Sequence, residues 1–284
     1  MKFSLICATI NRTEAIDRLL NSLTGQTHND FEFVMVNQNS DGRLLPIIEK
    51  YAEQFEIIHI ISEPGLSKAR NLGLKSATGE IVAFPDDDCW YGDNVLEKVT
   101  LLIEKNPEVQ GITGICFDDR INKSYGRVNK YKGLITKFNV WLKGSSASMF
   151  LIRDFIEQNK LNFDENLGLG SANYSGEETD FILSMLNAGA KIYFDPEIRV
   201  GHPYKKDLMN REIIEQGFQY GLGFGYVLRK HNYSLPFRLV VYFRSWAGIF
   251  ISLLQLKTNW VKYHWNSFQG RSQGYRSFGQ STKT

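Results

Sequence analysis

The stretch GLSKARNLGLKSATGEIVAFPDDDCW, residues 65–90, decides how the rest of the chain is read. Ser67 to Ala77 has helical spacing, Thr78-Gly79 stops it, and Ile81 to Phe84 is an apolar run of strand length. Three carboxylates, Asp86 to Asp88, follow that strand at once. Like charges packed this closely repel. Two readings are open: a solvated turn at a helix N-terminus, where carboxylates suit the local dipole, or a bound divalent cation. Magnesium and manganese take few protein carboxylates and complete their shells with water and phosphate oxygens. A carboxylate cluster without a cysteine or histidine cage fits such a cation bridging to a diphosphate.

Working outward, the same alternation recurs. Residues 2–9, 31–36 and 56–61 are further strand-length apolar runs. Between them, Ile16, Leu19, Leu20 and Leu23 recur at helical spacing, with Thr13 as N-cap and Gly25 as the stop, and Leu44 to Tyr51 repeats the pattern. After the aspartates, Val95, Leu96, Val99, Leu102 and Ile103 form a stripe ended by Asn106-Pro107. Strand and helix in alternation imply parallel pairing through right-handed crossovers, an α/β doubly wound sheet. Ligands then bind outside the carboxyl ends of the strands. That rule gathers Asn11 and Arg12, residues 37–42, and Asp86 to Asp88 on one edge. A dinucleotide fold would need a glycine-rich turn after the first strand, and the chain has ATINRT there (8–13), without glycine.

The chain has 284 residues, 43% hydrophobic and 23% charged, as expected of a folded protein with a sizeable core. Its net charge of +2 hides an asymmetry: residues 216–284 carry nine Lys and Arg and no Asp or Glu. An acidic body with a basic, aromatic tail suits an anionic surface. Cys7, Cys89 and Cys116 are odd in number and widely spaced, which disfavours a disulfide framework or zinc knuckle and points to a reducing compartment. The opening MKFSLICATINR resembles a leader, but the apolar run is short and closes at Asn11-Arg12; a buried first strand is expected.

Residues 65–90, with SLICATINR (4–12) and LLNSLTGQTHNDFEFVMV (19–36), resemble the nucleotide-sugar-binding half of family-two glycosyltransferases, with their A-R-N-x-G helix and D-x-D-type motif. Residues 163–203, FDENLGLGSANYSGEETDFILSMLNAGAKIYFDPEIRVGHP, resemble the same family's acceptor-side motif. The resemblance implies a GT-A fold, a mostly parallel Rossmann-like sheet, and metal-dependent transfer from a sugar nucleotide with inversion, using Mn2+ or Mg2+. It implies a donor site of Thr9, Asn11, Arg12, Asn37, Arg70, Asn71, Asp86 and Asp87, and a metal held by Asp86, Asp88 and His202. Where the family usually has two aspartates after the second strand, this chain has Asn37 and Gln38 in VNQNSDG (36–42), so the base contact would pass through an amide. Asp41 reads as a turn residue. Arg70 suits phosphate or the carboxylate cluster as a guanidinium fork, and a surface ion pair is the plain alternative.

Inverting transfer needs a base opposite the leaving diphosphate, and a carboxylate serves. SGEETDF (175–181) offers Glu177, Glu178 and Asp180 at a helix start. Ser175 and Glu178 also have capping-box spacing, which would leave Glu178 a structural role. The resemblance aligns Glu178 with the base, Glu177 being the substitute. Residues 141–153 read as a strand beside the site, with Trp141 in the core and Trp90 and Tyr91 placed for sugar contact.

The tail changes character. Residues 216–232 are helical with glycines on one face, and residues 239–256 are apolar but interrupted by Arg244. A spanning helix would pay a few kcal/mol for that arginine, about the cost of a central charge. An interfacial helix with Trp246, Trp260 and Trp265 as anchors costs less. A buried helix or a homo-oligomer contact is the alternative. Basic residues spread singly on an acidic protein argue against nucleic acid. The expected organisation is a catalytic domain over residues 1–210, split into a donor half (1–110) and an acceptor half (111–210), then a helical membrane-associating region over 211–284. The expected partners are a nucleotide-sugar donor, a glycan or polyprenyl-diphosphate-linked acceptor and an anionic membrane, at the inner face of a cell membrane, in surface polysaccharide synthesis. A non-catalytic sugar-nucleotide-binding scaffold is the alternative of another class. A nucleotidyltransferase would want a glycine- and lysine/arginine-rich phosphate loop after the first strand.

Overall fold

The four apolar runs are strands β1 (Phe3–Thr9), β2 (Phe31–Asn37), β3 (Glu56–Ile61) and β4 (Ile81–Ala83) in a computed structural model that describes residues 1–124, 131–204 and 209–279. The connecting helices are α1 (Glu14–Leu23), α2 (Leu45–Tyr51) and α3 (Leu66–Ser76). β1 pairs in parallel with both β2 and β4, and β2 with β3. The register Phe3↔Phe31 to Thr9↔Asn37 makes Thr9 and Asn37 leave the sheet side by side. Ile16, Leu19, Leu20 and Leu23 of α1 are all buried, as their spacing predicts.

Beyond the acidic loop come β5 (Trp90–Tyr91), α4 (Val95–Lys105), β6 (Gly111–Asp118), β7 (Lys123–Ser124) and β8 (Gly133–Leu134). The path continues through α5 (Val140–Lys143), β9 (Met149–Ile152), α6 (Arg153–Gln158), α7 (Glu177–Asn187) and β10 (Ile192–Gly201). The sheet order is β3-β2-β1-β4-β9-β6-β10-β5. β9 is inserted antiparallel between β4 and β6, and β10 returns parallel to β6, so the sheet is mixed. Its longest ladders remain parallel. The strand expected over 141–153 is corrected: residues 140–143 are helical, 146–148 form a 3-10 turn, and only Met149–Ile152 is extended. Gly144-Ser145-Ser146 carries no apolar side chain to extend the strand's buried face. Residues 192–201 form one strand, β10, whose register on β6 shifts between Phe194 and Arg199.

Two compact units emerge. The first comprises residues 1–64, 68–163 and 181–205 and contains the whole sheet. The second comprises residues 65–67, 164–180 and 206–284, with α8 (Arg211–Lys230), α9 (Leu235–Leu254) and α10 (Thr258–Ser277). There α8 and α10 meet through backbone: a Cβ on Gly270 would lie 2.1 Å from the Phe218 carbonyl oxygen, and one on Gly274 1.9 Å from that of Leu222. Arg271 ties α9 to this pair, donating to the Val241 carbonyl at 3.0 Å and to Ser245 Oγ at 2.7 Å.

Candidate active site

The acidic corner lies at the carboxyl end of β4, where the topology rule places it. The chain supplies part of its own neutralisation. Arg12 reaches Asp87 at 3.1 Å and Asp88 at 2.6 Å, and Arg70, only 2% exposed, donates to Asp86 at 3.0 Å. Thr9, the last residue of β1, donates to Asp87 at 2.9 Å, and Ser146 Oγ lies 3.3 Å from Asp86. Arg18 caps the Asp88 carbonyl at 2.9 Å. Burial lifts the Asp87 carboxyl to about 6, outweighing Arg12 and the Thr9 hydroxyl, which pull it down.

His202 follows β10, its backbone N–H donating to Phe117 at the end of β6. Its Nε2 lies 3.3 Å from Asp88, while Nδ1 is 3.0 Å from the Pro203 carbonyl. That second contact sets the ring's orientation. The residue just before matters too: a Cβ on Gly201 would fall 2.1 Å from the Trp90 ring, so only glycine lets the indole lie there. Asp86, Cys89 and His202 each present a ligand atom, all within 4.8 Å of one another. The donor set therefore fits a divalent ion. Cys89 is the member that sequence reasoning passed over; its position directly behind the three aspartates was the available signal.

The loops after β1 and β2 are joined by a residue that sequence reasoning left out. Asn39 accepts the Asn11 backbone N–H at 2.7 Å, and its own N–H and side-chain amide donate to Asn37 Oδ1. Asn11 is thereby held in the left-handed region, φ 57°. Asn37 in turn contacts His59 at 3.1 Å. Asp41 makes three bonds to Arg43, as a turn residue would. Asn71 sits deeper than a ligand contact would require: its amide exchanges bonds with the Phe163 backbone at 3.0 and 2.8 Å, locking that segment. Tyr91 is corrected as a sugar contact, since it is 2% exposed and packed edge-on against Phe150. Trp90 instead lines a cleft of about 380 Å³ with Phe117, Lys98, Asp119, Glu197 and Arg199. Arg120 stacks on its indole at 4.6 Å.

The second acidic cluster opens α7, in the second unit. Its three members are placed differently. Asp180 is fully buried, with Lys230 at 2.9 Å on one oxygen and His231 at 2.8 Å on the other. Lys230 also holds Asp164 at 2.7 Å, which accepts from Tyr226 at 3.1 Å. Asp180 is thus an anchor between α7 and the end of α8. Glu177 is buried, and a Cβ on Gly168 would lie 3.3 Å from its Cγ. Glu178 is half-exposed. Ser175 donates to the Tyr220 carbonyl at 3.4 Å.

Comparison with known proteins bears on this geometry. An uncharacterized glycosyltransferase of Haemophilus influenzae is 28% identical over 185 residues, 64% of this chain and 61% of that protein's own length. The crystal structure of Staphylococcus aureus TarS 1-349 in complex with UDP-GlcNAc superposes with a TM-score of 0.58 at 18% identity, over 99% of this chain and 92% of that one. The mannosyltransferase PcManGT of Pyrobaculum calidifontis, in complex with GDP-Man and Mn2+, gives a TM-score of 0.63 at 14% identity, over 96% and 86%. At such identities the structural likeness speaks for the fold, which is the GT-A arrangement expected from the motifs. The model of glycosyl transferase family 2 matches residues 4–159, more than half of the sequence, and the chain belongs to that family.

Proposed function

We propose that this chain is a divalent-metal-dependent, inverting glycosyltransferase that moves a sugar from a nucleoside-diphosphate donor to a glycan or polyprenyl-diphosphate-linked acceptor. The observation that carries the reading is the acidic corner, where Asp86, Asp88 and His202 converge beside two guanidinium groups. Asp86, Asp88 and His202 would hold manganese or magnesium. Such an ion supplies Lewis-acid stabilisation of the leaving diphosphate. Arg12 reaches the corner from the solvent side and is free to exchange a carboxylate for a phosphate oxygen. Thr9, Asn11 and Asn37 line the adjoining strand ends for the nucleoside, while Asn71 locks the Phe163 segment. Asp87, paired to Thr9 and Arg12, keeps those two oriented toward the donor.

Glu178 is assigned as the general base, because it alone of its cluster is not buried. Glu177 is the alternate. The relatives named above support a sugar nucleotide as donor, since TarS was crystallised with UDP-GlcNAc and PcManGT with GDP-Man and Mn2+. A thermal-shift panel of sugar nucleotides, each with and without Mn2+, tests this. A shift seen with at least one donor and only with the ion supports it; indifference to every donor refutes it.

The tail supports attachment to a membrane. In α9 the inward positions are Val241, Ser245, Ile249 and Ser252, while Leu239, Phe243, Trp246 and Phe250 face outward. Its 20 residues have a mean hydropathy of 1.4 and are mostly unburied. A helix with its apolar side outward wants an apolar medium. With nine basic and no acidic residues after position 215, that medium is the interface of an anionic membrane, consistent with a cytoplasmic enzyme acting in surface polysaccharide synthesis.

A further inference from the structure

The Cys89 thiol is an unassigned group in the middle of the acidic corner. It is fully buried, and its sulfur is engaged by the Asp86 backbone. The other two cysteines are different. Cys116 is bonded to Ser145 Oγ at 3.1 Å, and Cys7 lies within the first strand with its sulfur 4.0 Å from the Ala8 carbonyl. The backbone brings Cys89 inward deliberately: its N–H donates to the Asp86 carbonyl at 3.0 Å, a tight turn that sets the two side chains on the same side. Across from them stands His202, and the three ligand atoms fall within 4.8 Å of each other.

A sulfur in the ligand sphere changes which ions a site prefers. Magnesium demands oxygen ligands in near-ideal octahedral geometry and gives up water reluctantly. Thiolate and imidazole together suit softer ions, zinc and cobalt among them. We propose that Cys89 is a further ligand of the metal centre, adding a sulfur donor beside Asp86, Asp88 and His202 that favours thiophilic divalent ions over magnesium. The inference rests on the reading of the acidic corner as a metal site and adds the residue that sets its selectivity. It also implies that zinc competes with the working ion for the same site.

Cobalt titration of the full chain tests this by absorption rather than by turnover. The wild-type protein should develop a near-ultraviolet sulfur-to-cobalt charge-transfer band that saturates at one ion per chain. Cys89→Ser should abolish the band and weaken zinc binding by on the order of a hundredfold, a lost ligand costing at least what an outer-shell partner does. Cys116→Ser should keep the band, since that thiol belongs to Ser145. Cadmium NMR of the wild-type protein reads sulfur ligation from the chemical shift, with no dependence on a variant folding. Cobalt bound with visible bands but no sulfur transition overturns Cys89 as a ligand and leaves the metal site standing. No cobalt bound at all overturns both.

Discussion

Glu32 shows how much one side chain is asked to do. It is fully buried, and it accepts from Ser4 Oγ at 2.6 Å, from Thr78 Oγ1 at 2.5 Å and from Lys2 at 2.5 Å. Burial alone would raise its carboxyl, but the bonds from Lys2, Ser4 and Thr78 win and bring it from 4.5 to about 2. A folded-state value below the unfolded one stabilises the native chain fully above pH 4.5, and that stabilisation drains away as pH falls toward 2. The contribution is on the order of 3 kcal/mol. Glu32→Gln should therefore lower stability at neutral pH by roughly that amount and flatten the acid limb of a urea-midpoint-against-pH curve. An unchanged acid limb would place the titration elsewhere. At the second acidic cluster, where Glu178 is the proposed base, Glu178→Gln should abolish sugar transfer while donor affinity, read by calorimetry, stays within about twofold, because a base acts on the acceptor's proton alone. Near-normal turnover in that variant would return the role to Glu177. Neither Glu32 nor Asn39 was legible in the sequence. Their partners lie up to 46 positions away, and no local pattern announces such a bond. The three aspartates were legible because repulsion among neighbours is itself a local signal.

Among elements, the Asp180 anchor and the α8–α10 contact carry the second unit. Removing one partner from a buried, doubly bonded carboxylate leaves the other charge uncompensated, so Asp180→Ala should cost about 3–5 kcal/mol in urea unfolding. A loss below about 1 kcal/mol would mean the network adds little. Gly270→Ala sets two effects against each other. Helix propensity favours alanine by about 1 kcal/mol. The new Cβ, however, would meet a backbone oxygen at 2.1 Å, and backbone moves only if the helices part. The clash wins, and a net loss of about 1–3 kcal/mol is expected by the same measurement, with a gain contradicting the close approach. This packing also explains what the sequence hid. The four amino-terminal strands were plain because each carries a run of apolar residues, although β3, at the sheet edge, is only partly buried. In α10 the buried positions include Ser267, Gly270 and Gly274, so no apolar stripe marks its period, and only a helical region without bounds was readable there. The insertion of β9 antiparallel between β4 and β6 is a non-local pairing, which local periodicity does not encode.

On the scale of the whole molecule, charge and hydropathy divide the chain. The first 215 residues carry a net negative charge, and the acid-free remainder presents an outward apolar helix. Full-length protein should float with liposomes containing anionic lipid and less with neutral ones, and Phe243→Glu with Trp246→Glu should return it to the soluble fraction; equal flotation of the double variant would remove α9 as the docking element. The proposed chemistry turns on the acidic corner. Its direct test is calorimetric titration of nucleoside diphosphate into the wild-type chain and into Asp88→Asn, each with and without manganese. The wild-type chain should bind one nucleotide only when the ion is present, and Asp88→Asn should lose that ion dependence together with the affinity. Equal binding with and without manganese, or an Asp88→Asn protein that binds as the wild type does, would contradict the account.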